Sequence, residues 1–395
     1  LALEQMKETL DAANSFESHD HNSTHSITPK FEKEMEVSSG KLRLMAQVPT
    51  NITTKRLHYT RGSVDVTPQH TWGLVDGNLL RLIFQKDTER AMGYYHIGYS
   101  LSSGAPDLER MIDMVNDADP LNIYLGNPDL KTSCTHSLAL STSHWIKSSQ
   151  TSVYAYVNGS YTQRAITSGY ALDPTTGVRR FKAYNVDGNW SVSGRGGFST
   201  ALGSRRQWSP QVDVTASYNK YTDMTGIGIG DPEPSKAYAL NLSLYPQLTY
   251  EALGWVFNLG VAGQWTHSKN SGLYGAAPSN VGYVIPAFRT QGKLPAHLSL
   301  FTQIQMYKRV GMTDTALNKP QWVWTISLQY APDEKWVISL DGFDILRQLS
   351  PAQVTVNSQG RTETYTNTLP SYFMARVQYH INISPKKEIV QPRYF

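Results

Sequence analysis

A period of two runs through most of this chain. From about residue 28 to residue 383, stretches of ten or more residues alternate apolar and polar side chains, as strands with one dry and one wet face do. Near the carboxyl terminus Phe373, Ala375, Val377, Tyr379, Ile381 and Ile383 share one face, with Tyr372, Met374, Arg376, Gln378, His380 and Asn382 on the other. Trp322, Trp324, Ile326, Leu328 and Tyr330 repeat the pattern against Val323, Thr325, Ser327 and Gln329. Trp255, Phe257, Leu259 and Val261 repeat it against Asn258, Gly260, Ala262 and Gln264. Such stretches exceed the roughly 5–6 residues of a globular strand and match the roughly 9–11 of a tilted bilayer crossing.

Composition indicates what the dry faces meet. Mean hydropathy is −0.39, and no apolar run approaches the ~18 residues of a membrane helix. Any spanning is therefore by strands, whose alternation hides their apolar half from an average. Charged residues make up 17%, below the roughly 25% of soluble domains, and 23 Tyr with 9 Trp suit an apolar–water boundary. Rings bracket the apolar faces, as Trp322 and Tyr330 do. The opposite faces carry hydroxyls, amides and small residues rather than the Lys and Glu of a soluble sandwich. The fold expected is all-β, a transmembrane antiparallel up-and-down β-barrel.

The pattern divides into fifteen strands. Short connections include Ser39-Gly40, Lys147–Gln150, Glu251–Gly254, Gln291–Lys293 and Pro332–Lys335, and they alternate with longer ones at 60–74, 103–131, 222–234, 268–278, 309–318 and 347–369. Asp173-Pro174-Thr175-Thr176-Gly177 is a tight tip between two very long strands that project beyond the membrane. Short turns on one side and long loops on the other is the outer-membrane pattern. Bacterial single-chain barrels have even strand numbers, so an odd count predicts at least one further upstream strand. The expected divisions are 1–27 as an outer loop or truncated start, 28–384 as the barrel and 385–395 as a periplasmic tail.

The run Asp119-Pro120-Leu121-Asn122-Ile123-Tyr124-Leu125-Gly126-Asn127-Pro128-Asp129-Leu130-Lys131 resembles a signature of TonB-dependent receptor barrels, in which Gly-Asn-Pro-x-Leu-Lys leads from an outer loop into a strand. Ala105–Met111 resembles the segment placed just upstream of it. At the other end come a hairpin at Asn357–Tyr365, Leu369-Pro370-Ser371-Tyr372-Phe373 opening the last strand, and Ile383-Ser384-Pro385-Lys386-Lys387 after it. Together these are similar to the Bacteroidetes outer-membrane β-barrel family related to TonB-dependent receptors, over nearly all of the chain from residue 28. The resemblance implies a barrel of about 22 strands and nutrient uptake by a full-length parent. It implies as partners outer-membrane lipid, TonB, a plug domain and a surface lipoprotein. Neither the plug nor the TonB-contacting segment is recognisable in these residues. The signature itself is structural: Pro128 fixes φ and removes a donor, while Gly126 and Asn127 tolerate turn conformations.

Other motifs carry little chemistry. His19, His21 and His25 with Asp20 could ligate a metal, but their spacing is irregular and the stretch reads as solvated loop. Thr225-Gly226-Ile227-Gly228-Ile229-Gly230 lacks the following helix of a dinucleotide site, and Asp231-Pro232 follows instead. Gly194-Arg195-Gly196-Gly197 lies inside a strand, where glycine marks a bulge or close backbone approach. Glu32, Glu34 and Glu36 fall with period two on the least regular strand, since Phe31, Met35 and Val37 form no clean apolar face. No Ser, His and acid stand in a hydrolytic arrangement. No catalytic, cofactor-binding or metal residue is assigned, and no enzyme activity or cofactor is expected. Cys134 is alone, which excludes an intrachain disulfide. A net charge of +4, with scattered basic residues, gives no nucleic-acid footprint. The alternative to transport is a structural or adhesive barrel.

Overall fold

The computed structural model describes residues 15–37, 40–61, 64–228, 230–271, 279–312, 315–349, 352–357, 360–365, 369 and 371–381. Along the chain lie β1 (Phe16–Ile27), β2 (Lys30–Val37), β3 (Gly40–Gln47), β4 (Thr50–Arg61), β5 (Val64–Val66), β6 (Gln69–Asp87), β7 (Ala91–Gly104), a one-turn helix α1 (Leu108–Met111), β8 (Val115–Asp119), β9 (Asn122–Leu125), β10 (Ser133–Ile146), β11 (Thr151–Gln163) and β12 (Ala165–Leu172). Then come β13 (Arg179–Val186), β14 (Asn189–Ser199), β15 (Trp208–Ile227), β16 (Glu233–Ala252), β17 (Trp255–Asn270), β18 (Ser279–Leu294), β19 (Leu298–Val310), β20 (Gln321–Tyr330), β21 (Trp336–Phe343), β22 (Ala352–Asn357), β23 (Gly360–Tyr365) and β24 (Tyr372–Tyr379).

The fold is all-β, with one sheet of 22 strands and a separate β22–β23 hairpin. That strand count includes short pieces at one end of the sheet. Counted by crossing, the wall is an antiparallel meander of fifteen: β2, β3, β6, β7, β10, β11, β14, β15, β16, β17, β18, β19, β20, β21 and β24. Sequence neighbours pair because a short turn is the cheapest way to join antiparallel strands. The turns lie at one end and the longer connections at the other. β2 and β24 are the free edges; among the described residues no ladder joins them, so the sheet is not closed. Both run from the loop side to the turn side.

One face of the wall is apolar from β7 to β24. Direct pairing aligns Ile97, Leu140, Val157 and Gly194 across four strands, and Phe288, Ile304 and Trp324 across three more. These side chains project outward: Leu259 is 56% exposed and Ile97 46%. In water, exposing so many large apolar residues would cost the fold its driving force; in hydrocarbon it costs nothing. The indole of Trp324 still finds a partner, donating to Thr302 Oγ1 at 2.9 Å. Aromatic rings bound the band. Toward the loops Trp190, Tyr218, Tyr238 and His267 follow one another at 4.8, 6.1 and 5.9 Å between centroids. Toward the turns Trp208, Tyr250 and Phe257 do so at 4.3 and 6.3 Å. On β17 Phe257 and Trp265 stand eight residues apart, about 26 Å along a strand. Tilted, that is somewhat shorter than the roughly 25 Å apolar band of such barrels. Lys33 is an outward charge opposite Leu44, on the free edge strand, where lysine is common.

The other face is a hydrogen-bonded polar surface. Thr266 donates to Asn241 at 2.8 Å and Asn241 to Ser217 at 3.3 Å. Ser160 and Ser191 meet at 2.7 Å. Arg289, Gln303, Gln305 and Tyr307 form a chain of bonds at 3.1, 2.7 and 2.7 Å.

The structure corrects several sequence expectations. Phe16–Ile27, expected as loop, is β1, which continues β2 past Pro29 and pairs with β4 over its full length. Its residues are polar on both faces, so alternation could not reveal it. Residues 1–14 and the tail at 385–395 lie outside the described residues. The turn expected at Gln291–Lys293 is strand, and the chain reverses at Ala296 and His297, both at φ +59°. Two consecutive left-handed residues make the tight hairpin whose twist suits the sheet. Gly292 serves another purpose: a Cβ there would lie 2.2 Å from the Trp255 ring directly opposite. The connections at 60–74, 103–131, 222–234 and 347–369 are also rich in strand, and the expected hairpin at Asn357–Tyr365 belongs to the larger β22–β23 hairpin.

Candidate functional site at the loop-side crown

Above the wall, on the loop side, stands a crown of β1, β4, β5, the first half of β6, residues 105–131 and the β12–β13 hairpin. It contains the main apolar core. Leu108 and Ile112, four residues apart and so on one face of the short helical turn, pack on Leu57, Tyr59, Trp72 and Leu74. Pairing carries these last four onto the same face as the polar inner wall, so residues 105–114 fold inward. A bulge at Leu79 makes this possible, because one extra residue reverses which side chains of β6 face in. Arg61, 9% exposed, locks the segment by donating to Asp117 Oδ1 at 2.9 Å and to the Val115 carbonyl at 3.3 Å.

Residues 119–131 then pin the crown to the wall. Asp119 accepts from the Leu121 amide at 3.0 Å and from Asn122 Nδ2 at 2.7 Å, bonds that hold its carboxyl below the usual range. A Cβ at Gly126 would sit 1.6 Å from the Ile112 carbonyl oxygen, so only glycine fits. Asn127 donates through Nδ2 to the Ala183 carbonyl at 2.8 Å and accepts from the Asp129 amide at 3.1 Å. Leu130 is 5% exposed. Asn185 clamps the end of the run: Lys131 N–H donates to its Oδ1 at 2.8 Å, and its Nδ2 donates to the carbonyls of Lys131 and Arg164, both at 2.9 Å. Asp119, Gly126, Asn127 and Lys131 thus serve the path of the backbone.

The β12–β13 hairpin extends β11 and β14 after a pivot. Arg164 (φ +49°) and Gly188 (φ +92°) bend the two strands, and the Arg164 amide donates to Asp187 Oδ1 at 2.7 Å. Beyond the pivot the neighbours exchange. β12 runs parallel to β15, and β13 runs parallel to β9. The tip is closed by Asp173, which accepts from the Thr175 amide at 2.9 Å and the Thr176 hydroxyl at 2.8 Å; both lower its pKa. On β13 burial, with Asp231 beside it, pushes the Tyr184 hydroxyl up to about 12.

Between residues 107–116, β9 and this hairpin lies a cavity of about 350 Å³. Tyr124 and Phe181 stack on its wall at 5.1 Å and 17°. Asp107, Glu109, Arg110 and Lys182 bring both signs of charge to it, over a floor of Gly126 and Ala183. A flat ring pair with mixed charges suits reversible capture of a polar solute with an apolar face. Period-two patterning missed this site because its residues come from four short segments; only the aromatic-bearing run 119–131 marked one side of it.

The residues singled out from sequence fall elsewhere. His19, His21 and His25 alternate onto one face of β1 and Asp20 onto the other. His19 instead bonds Glu17 at 2.8 Å and stacks on His58, which meets Asp65 at 3.0 Å. Among the described residues no three His, Cys, Asp or Glu side chains converge as a metal site would require. Glu32 and Glu34 face inward and pair with Lys30, Lys41 and Arg43. Arg195, within the glycine-rich stretch of β14, reaches Tyr154 at 3.1 Å and Asp213 at 3.5 Å, and Tyr154 donates to Asp213. Thr225–Ile227 ends β15, and Gly228 donates to the Leu172 carbonyl at 2.8 Å. The run thus serves the parallel contact with β12.

Residues 93–252 match the family model described as outer membrane protein beta-barrel family. No curated protein matches the chain in sequence. Among solved structures, the copper transporter OprC is similar at 9% identity, over 91% of this chain and 70% of that one, with a TM-score of 0.27. The protein is a strand-built component of the outer membrane, crossing it repeatedly with the wall described above.

Proposed function

We propose that this chain is wall and crown of a barrel that takes up a nutrient across the outer membrane, energised through TonB in a full-length parent that carries a plug. The observation behind it is the inward fold of residues 105–114, which sets a charged, ring-lined cavity over a polar inner face. A solute captured there stands at the entrance of the wall. On this reading the loop side faces the exterior, 28–384 is the barrel and 385–395 a periplasmic tail. The edges β2 and β24 run the same way, so antiparallel closure takes an odd number of further strands. A second copy in the same orientation offers only parallel edges. A surface lipoprotein would sit over the crown.

Deleting the gene tests the proposal. Growth on a panel of single nutrients should fail for a subset, and loss of TonB should reproduce the defect. Normal growth on every nutrient, with weakened attachment to surfaces or partner cells, would instead favour a structural or adhesive barrel.

A further inference from the structure

Three adjacent wall strands repeat one arrangement on their outward face. On β15, Lys220 stands two residues loop-ward of Tyr218; on β16, Lys236 stands likewise beyond Tyr238; on β17, Lys269 stands beyond His267. Pairing confirms that they share a face: Lys220 and Lys269 both lie directly opposite Tyr238, and Lys220 also opposes Trp190. Among the described residues none of the three ammonium groups has an ion pair. The nearest acids in these strands, Asp223 and Glu233, alternate onto the other face, where Asp223 accepts from Thr167 at 3.0 Å. The rim before these strands differs, whereas on β19 a further outward lysine, Lys308, stands opposite Val284. Beyond Tyr99, His136 and Tyr161, the outward positions of β7, β10 and β11 hold Leu101, Ser103, Cys134 and Gln163, all uncharged.

An unpaired lysine just above the aromatic boundary meets lipid head groups, not hydrocarbon and not bulk water. Three on neighbouring strands span roughly 10 Å, enough to engage two phosphate groups at once. We infer that the outward face of β15–β17 binds the phosphorylated head group of an outer-leaflet glycolipid. Lys220, Lys236 and Lys269 donate to its phosphates, and Tyr218, Tyr238 and Trp190 lie against the first methylenes of its acyl chains. Lysine supplies point charges here, without the planar fork that arginine would bring.

The test uses the protein purified in zwitterionic detergent, titrated with a bisphosphorylated glycolipid, its monophosphorylated and dephosphorylated forms, phosphatidylglycerol and inorganic phosphate, with bound lipid read by native mass spectrometry. Affinity should fall with each phosphate removed. The Lys220→Gln/Lys236→Gln/Lys269→Gln variant should lose about 100-fold, at roughly five-fold per lysine, while the corresponding arginine variant keeps most of it. Equal binding of dephosphorylated glycolipid or of phosphatidylglycerol by the wild type overturns the inference, as does full retention by the glutamine variant. If that variant does not assemble, the phosphate series on the wild type still decides. Inorganic phosphate binding as tightly as the glycolipid would also overturn it. Detergent abolishes sidedness, so the result is separate from the exterior orientation of the crown. That orientation fails independently if Thr175→Cys, in a Cys134→Ser background, cannot be labelled on whole cells.

Discussion

The segment from Thr151 to Ser199 is built twice. Below Arg164 and Gly188, β11 and β14 pair antiparallel over eleven residue pairs and keep their sequence neighbours on either side. Above, the same two chains continue as β12 and β13 and exchange those neighbours for parallel ones. The difference is the solvent. In hydrocarbon every backbone group needs a partner in a continuous ladder, which leaves the meander no freedom. In water a strand can bend at a left-handed residue and leave backbone groups hydrated, so side chains such as Asn185 and Asp187 decide where it goes.

The most direct way to break this comparison is to place one charge in each region of the same strand. Val214→Arg, outward at mid-depth on β15, should cost about 2–4 kcal/mol of barrel stability, while Ile227→Arg, at the loop end of the same strand beside Leu172 of the crown, should stay within about 0.5 kcal/mol. Folding yields in liposomes report both. The free edge gives a matching pair: Val377→Arg should impair assembly and Gln378→Arg should not. Equal yields would show that the facing assignment is wrong. Next in size comes Gly126→Ala. Its methyl must displace the backbone at Ile112, so protease nicking within 105–131 should rise severalfold without loss of the wall's heat resistance. Asn185→Ala removes three bonds at the pivot and should loosen it by about 1–3 kcal/mol, read by amide exchange at Lys131, whose N–H it holds; unchanged exchange there would refute the clamp. The smallest effect concerns pH. Asp173 has a lowered pKa in the folded tip, so its support is present above the ordinary aspartate range and fades as pH falls through the lowered value. Protection of the Thr175 amide, its exchange rate taken relative to that of an unstructured peptide at the same pH, should therefore fall only in acid, and Asp173→Asn should remove that dependence.

How much of this was readable from sequence follows the same line. The wall was: fifteen crossings, their alternation and the placement of Trp322–Tyr330 or Phe257–Val261 follow from period two, because lipid on one side and a polar interior on the other sort the side chains. The crown was not. β1 is polar on both faces, β8 and β9 are too short for a period, and the neighbour exchange of β12 and β13 depends on φ at Arg164. Even in the wall, Gly292 misled as a turn signal, since its meaning lies in the ring of Trp255 across the sheet. The role of the 119–131 run was legible as structural, but the cavity behind it depends on a one-residue bulge at Leu79.

The exchange at Arg164 and Gly188 also has a consequence for the order of assembly. The wall can grow hairpin by hairpin, each new strand finding a partner already adjacent in the chain, so its closing loops stay short. The outer half of the β12–β13 hairpin cannot join that sequence when it is made. Its two flanks wait for β15, not yet added, and for β9, which must itself be folded inward first. The hairpin therefore sets only after β15 and β9 are in place, and a barrel halted before that point would present wall strands beneath an unlatched hairpin.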